Sequence, residues 1–110
     1  MMTDAKALSA LGLCKKAGKL VIGFDAVAAA IAQSKVKLLA TTQDISPKSA
    51  KEIIRLADQH NINHLRLNAG MDDIKRILGK KAGVLAITDE GLAALTAAKS
   101  MARQVEEESV

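Results

Sequence analysis

The residues of this chain best suited to chemistry cluster around the stretch from Gly18 to Ile31. Lys15, Lys16 and Lys19 supply three ammonium groups, and Gly23 opens a helix beginning at Phe24 and Asp25. The first N–H groups of a helix have no partner within it, and together with nearby cations they attract anions such as phosphate. Gly23 lets the backbone turn sharply and lets a ligand approach closely. A second basic loop, Gly79-Lys80-Lys81-Ala82-Gly83, sets two lysines between glycines, followed by Val84. It lacks the spacing of a nucleotide-binding P-loop, but it can hold two ammonium groups and bare backbone against a phosphate chain. Lys15 and Lys16 have a second reading, because they fall in the last turn of a helix and complement its dipole there.

Other reactive side chains point to no reaction. Cys14 is the single cysteine, which excludes an internal disulfide and a cysteine-based zinc cluster. It reads as a small buried residue on the stripe Ala7, Leu11, Cys14, with Leu8 alongside. His60 and His64 have no carboxylate or thiol partners at metal-ligand spacing, so they read as surface histidines and no metal is expected. Asp89 and Glu90 sit at a strand end, where a catalytic carboxylate can sit, but capping the last helix explains Asp89 more simply. With no Ser/His/Asp or Cys/His arrangement, the chain reads as a non-enzyme without a cofactor.

The elements that must position these groups alternate. Thr3 or Asp4 caps a first helix that runs to about Ala17, and Gly18 ends it. Leu20 to Ile22 is a short strand. A second helix runs from Phe24 to about Gln33, with Phe24, Val27, Ala28 and Ile31 on its apolar stripe and Asp25, Ala26, Ala29, Ala30 and Gln33 opposite. Lys37 to Thr42 has the continuous apolar character of a buried parallel strand. Ser46-Pro47 starts a third helix, buried along Ala50, Ile53, Ile54 and Ala57. Ile62 to Leu67 alternates like a strand with one wet face. Asp72 and Asp73 open a fourth helix with Ile74, Ile77 and Leu78 buried. Val84 to Ile87 is a buried strand, and Thr88 or Asp89 caps a last helix lined by Leu92, Leu95, Ala98 and Ala102. Helix and strand in strict alternation predict an α/β fold with helices on both faces of one sheet, and ligands gather on one rim of such sheets.

Composition narrows the partners. The 110 residues are enough for one domain burying roughly two-thirds of its unfolded surface. Hydrophobic residues make up 49% but aromatics only 1%, with Phe24 alone, so the core is aliphatic and base stacking on aromatic platforms is excluded as a recognition mode. Sixteen Lys and Arg against twelve Asp and Glu give a net charge of +4, and Glu106, Glu107 and Glu108 make the rest of the chain more basic still. That balance suits a polyanion. The N-terminus carries no signal-peptide pattern, and no run reaches the roughly 20 apolar residues of a membrane span. The expected location is the cytoplasm.

Leu11-Gly12-Leu13, Lys16-Ala17-Gly18-Lys19-Leu20-Val21 with Gly23, Lys35-Val36-Lys37-Leu38-Leu39, Asp44-Ile45-Ser46 and Leu85-Ala86-Ile87-Thr88-Asp89-Glu90-Gly91 occur in the order and spacing of a known family. From Leu8 to Leu95 the chain resembles the bacterial YlxQ branch of the L-seven-Ae/L-thirty-e ribosomal protein superfamily. The resemblance implies a three-layer α/β/α sandwich with a four-stranded mixed sheet over residues 1–105; the acidic tail at 106–110, by its composition and terminal position, is expected to be disordered. The resemblance also implies a monomeric, ribosomal-protein-like partner of structured RNA, kink-turn RNA above all, at work in ribonucleoprotein particles. Members that bind this RNA use a Gly-Thr-Asn-Glu-x-x-Lys turn, matched here by Gly23, Phe24, Asp25, Ala26 and Ala29, in which only the glycine is kept. They also use an apolar loop before the last strand, here Lys81-Ala82-Gly83-Val84. The implied RNA contacts are therefore Lys15, Lys16, Lys19 and the turn Gly23, Phe24, Asp25 on one side, and Lys80, Lys81, Ala82, Gly83 and Val84 on the other. Alanines at Ala26 and Ala29 can neither read a guanine edge nor meet phosphate. The alternative is therefore a protein-interaction module of the translation or transcription machinery, docking through Ala26, Ala29 and Ala30.

Overall fold

A computed structural model describes residues 4–100. Its elements are α1 (Ala5–Lys16), β1 (Leu20–Ile22), α2 (Phe24–Ala32), β2 (Leu38–Thr41), α3 (Pro47–Gln59), β3 (His64–Arg66), α4 (Met71–Leu78), β4 (Val84–Ile87) and α5 (Glu90–Lys99). The strand order is β1-β4-β2-β3. β4 runs antiparallel to both β1 and β2, and β2 runs parallel to β3. This is the mixed four-stranded sheet of the expected sandwich. The expectation of parallel pairing for the apolar run at Leu38 holds on its β3 side alone.

Alternation along the strands divides the core into two layers. Leu38, Ala40, Leu65, Leu85 and Ile87 face α1, α4 and α5, where Leu8, Leu11, Ile74 and Leu78 meet them. Leu39, Val84 and Ala86 face α2 and α3, against Val27, Ile31, Ile53 and Ala57. Side chains with period 2 on the strands thus meet helical stripes of period 3.6 on both sides. Both central strands are buried along their whole length. Among the described residues, no helix is long and apolar enough to cross a membrane.

The caps act where helix chemistry predicts them. Ser46 accepts a hydrogen bond from the Ser49 N–H at 3.2 Å, and Asp89 accepts one from Leu92 at 2.8 Å. Gly79 ends α4 in the left-handed conformation at φ 79°. Asp4 precedes α1 but makes no side-chain cap. Its carboxylate is buried and accepts instead from the Asn68 N–H at 3.1 Å and the Ser100 hydroxyl at 3.0 Å. It therefore ties the start of α1 to the turn before α4 and to the end of α5.

Several helix faces differ from expectation. In α5 the buried residues are Ala93 and Thr96, Leu95 is half-buried and Ala98 is exposed. Packing against α1 sets that phase, and Thr96 Oγ1 lies 3.8 Å from Cys14 Sγ. The C-cap at Ser100 ends this helix. Ala102 and the acidic tail 106–110 lie outside the described residues. In α2 Ala30 is buried and Ala28 half-buried, which removes Ala30 from the expected docking patch. Ile77 is exposed. His64 is half-buried, and its Nε2 lies 2.7 Å from Thr41 Oγ1.

Asp73 makes one contribution to stability depend on pH. Its carboxylate accepts from the Gly70 N–H at 2.9 Å and pairs with Arg76 at 3.1 Å. The backbone hydrogen bond first, then the guanidinium, hold it below its ordinary value of 3.8. The stabilisation is complete above that value and is lost as pH falls through the folded value. Asp73→Asn is expected to lower stability in urea melts at pH 7, with the gap to wild type closing as pH drops below 3.8.

Candidate functional site

Because β4 is reversed, one rim of the sheet collects the end of β1, the start of β4 and the ends of β2 and β3. Ile22 pairs with Leu85, Thr41 with Val84 and with Arg66. Gly23 leaves β1 here with φ 105° and ψ 150°, a region that only glycine adopts readily. Its N–H donates to the Val84 carbonyl at 2.9 Å and its own carbonyl accepts from Val27 at 3.0 Å. The start of α2 is thereby fixed to the first residue of β4. Gly83 answers from the other side, its carbonyl accepting from the Thr42 N–H at 3.0 Å. A Cβ on Gly83 would meet Thr42 Oγ1 at 3.2 Å and Ile45 Cβ at 3.4 Å, so this crossing has little room for a side chain.

Between these two turns lies a depression of about 330 Å³. Phe24 and Gly23 form one wall, Lys81 to Val84 the opposite wall, and Ile45, Ser46, Ser49 and Met71 complete it. The starts of three helices therefore meet at one place: α2 at Gly23, α3 at Ser46 and α4 at Met71. Each brings the positive end of its dipole. The starts of α3 and α4 are already engaged, by Ser46 on Ser49 and by Asp44, which accepts from the Met71 N–H at 3.0 Å. The start of α2 has no side-chain cap, so its first-turn N–H groups are the donors left to a ligand. The surroundings are mostly apolar, and Phe24 also packs into the core beneath α2. Lys81 Nζ lies 3.6 Å from Asp72 Oδ1, with both side chains largely in solvent. Such a pair is weak enough to re-aim toward phosphate.

The structure thus brings together Gly23, Phe24, Lys81, Ala82, Gly83 and Val84. Lys80 is exposed in the same loop and Asp25 is exposed on the first turn of α2. Lys15, Lys16 and Lys19 sit elsewhere, contrary to the expectation that they share one side with the Gly23 turn. Lys15 Nζ donates to the Leu78 carbonyl at the end of α4, and with Lys16 it lines a separate groove between α1 and α4. Lys19 is on the opposite rim, where its carbonyl accepts from Thr88. The length of β1, roughly 13 Å from Lys19 to Gly23 at strand rise, keeps the two apart. Ile45, Ser46, Ser49 and Met71 are the lining residues that sequence reasoning missed. Asp44-Ile45-Ser46 was legible as a connection with a cap, and only strand order reveals that it leaves the sheet beside Gly23.

Burial pushes the Cys14 thiol above its ordinary 9.0, the opposite of what a nucleophile needs. No group of three His, Cys, Asp or Glu among the described residues is placed to hold a metal ion. Gly23→Ala is expected to destabilise the protein by about 1–3 kcal/mol through its backbone conformation alone, read as a lower urea midpoint with an unchanged slope.

Comparison with known proteins is consistent over nearly the whole chain. The model of the ribosomal protein L7Ae/L30e/S12e/Gadd45 family matches residues 5–97. The chain is 32% identical over 84 residues to the RNA-binding protein YlxQ of Bacillus subtilis (strain 168), covering 76% of this chain and 83% of that one. It is 29% identical over 91 residues to the RNA-binding protein YlxQ of Enterococcus faecium, covering 83% and 87%. Among solved structures, a protein of unknown function from Bacillus halodurans superposes with a TM-score of 0.79 at 26% identity, covering 86% of this chain and 96% of that one. The Giardia lamblia 15.5kD RNA binding protein superposes with a TM-score of 0.73 at 11% identity, covering 86% and 82%, a likeness of fold.

Proposed function

The chain belongs to the ribosomal protein L7Ae/L30e/S12e/Gadd45 family, and from that premise we propose that it is a non-catalytic RNA-binding protein that holds structured, kink-turn-like RNA at the rim between Gly23 and Val84. The observation that carries this reading is the depression where the uncapped start of α2 faces the Lys81–Val84 wall. Its relatives in Bacillus subtilis and Enterococcus faecium are RNA-binding proteins by name. The chemistry suits a bent backbone: uncapped N–H donors of α2 with Lys80 and Lys81 for phosphate, and an apolar floor at Phe24 and Ala82 that keeps water from those donors. The partner is ribosomal RNA or another structured RNA of the cytoplasm, alone or within the translation machinery.

Ala26 and Ala29 are exposed on α2, and neither offers a hydrogen bond to a base edge. Direct readout is worth about 1–3 kcal/mol per bidentate contact in DNA complexes. Recognition here therefore leans on backbone shape and phosphate rather than on base edges. The burial of Ala30 leaves only a small apolar patch at Ala26 and Ala29, which favours RNA over protein docking on this helix. Changing Lys80 and Lys81 together to Ala is expected to weaken RNA binding and to make its dependence on salt shallower by about 1 per lysine in a log–log plot. Unchanged affinity and slope in a filter-binding series would remove this loop from the interface.

A further inference from the structure

Leu13 and Ile77 are the two large hydrophobic side chains left exposed among the described residues, at 52% and 40%. They are not scattered. Both line one groove of about 550 Å³ between α1 and α4, together with Lys15 and Lys16. Leu13 also lines a second depression of about 250 Å³ between α1 and α5, beside Leu95, Lys6 and Lys99. The two hollows meet at Leu13 and Ser9 and form one continuous surface along α1. Lys6, Ser9, Leu13 and Lys16 repeat at helical spacing, so they form an exposed stripe with an apolar centre and cationic ends.

Among the described residues, no carboxylate lines either hollow. Lys15 is engaged with the Leu78 carbonyl, which leaves Lys6, Lys16 and Lys99 to present ammonium groups around Leu13 and Ile77. The carboxylates nearest along α4 are already used, Asp73 by Arg76 and Asp72 by Lys81. Exposed aliphatic side chains clustered in a groove mark an interaction surface. Lysines around aliphatic anchors call for a partner that is apolar on one stripe and acidic on its flanks. Nucleic acid would use the lysines but leave Leu13 and Ile77 in water.

We propose that the groove between α1, α4 and α5 binds an acidic amphipathic helix of a partner protein, with apolar anchors on Leu13 and Ile77 and carboxylates toward Lys6, Lys16 and Lys99. Such a helix presents anchors at i, i+3 or i+4, and i+7. This surface lies away from the rim between Gly23 and Val84, so the protein can hold RNA and a protein partner at the same time. The inference stands whether or not that rim binds RNA.

The test uses the full chain and a fluorescein-labelled synthetic helix of about 18 residues, roughly 27 Å long, with leucines on one face and glutamates flanking them. A scrambled peptide of identical composition is the control. Saturable binding of the amphipathic peptide alone is expected, with affinity falling as salt rises. The double variant Leu13→Ser/Ile77→Ser is expected to bind at least tenfold more weakly, while its melting temperature and its RNA affinity stay those of wild type. Lys16→Glu is expected to weaken the peptide by a smaller factor. Equal binding of both peptides, no saturable binding, or full affinity in the double variant would overturn the proposal. A concentration-dependent dimer in sedimentation that is lost in the double variant would give the groove to a second copy instead. Displacement of the peptide by RNA would also overturn it, because the two surfaces are separate.

Discussion

The reversal of β4 between β1 and β2 is the constraint on which the rest of the structure depends. Antiparallel pairing on both sides puts the end of β1 and the end of β2 against the start of the same strand. Gly23 donates to Val84, and Gly83 accepts from Thr42, within one residue of each other along the chain. Two turns that are sixty residues apart in sequence thereby become the walls of one depression. The buried aliphatic strands beneath them make the frame rigid. A register slip of one residue would reverse every side chain of β4 between the two core layers.

Most of the architecture is legible in the amino-acid sequence. Ser46-Pro47, Asp89 and Gly79 mark helix ends by local chemistry, and all three act there. The nine elements and their order follow from local periodicity, and so does the burial of Cys14. What depends on contacts between distant elements was less legible. Asp4 has the identity and position of a helix cap, yet its carboxylate serves Asn68 and Ser100. An Ala-rich helix such as α5 has too little contrast between its faces to declare its phase, so Ala93 and Thr96 replaced Leu95 and Ala98 inside. The candidate site was half legible for the same reason. Gly23 and the loop at Lys81 announce themselves by glycine and charge. Ile45 and Met71 join them only through strand order, and Lys15, Lys16 and Lys19 leave the group because a short strand separates the two rims.

The surface that results is divided by chemistry. The Gly23 rim offers backbone donors, a small apolar wall and exposed lysines, a set suited to phosphate and to an irregular backbone. The α1 side offers exposed aliphatic side chains ringed by lysines, with no lining carboxylate among the described residues. With Phe24 as the one aromatic residue, neither surface can rely on stacking platforms. For the proposed RNA contact, shape, backbone donors and charge must do what aromatic side chains do elsewhere. That makes the geometry of the two glycine turns more consequential than the identity of any one side chain on α2.

The account is tested most directly by titrating the purified protein against a kink-turn RNA and against the same RNA without its tandem G·A pairs, each at several salt concentrations. It predicts tighter binding to the kinked RNA at every salt concentration, with a modest slope set by few phosphate contacts. Equal affinity for the two RNAs with a steep salt dependence, or no binding to either, would contradict the claim that the Gly23–Val84 rim recognises a bent RNA.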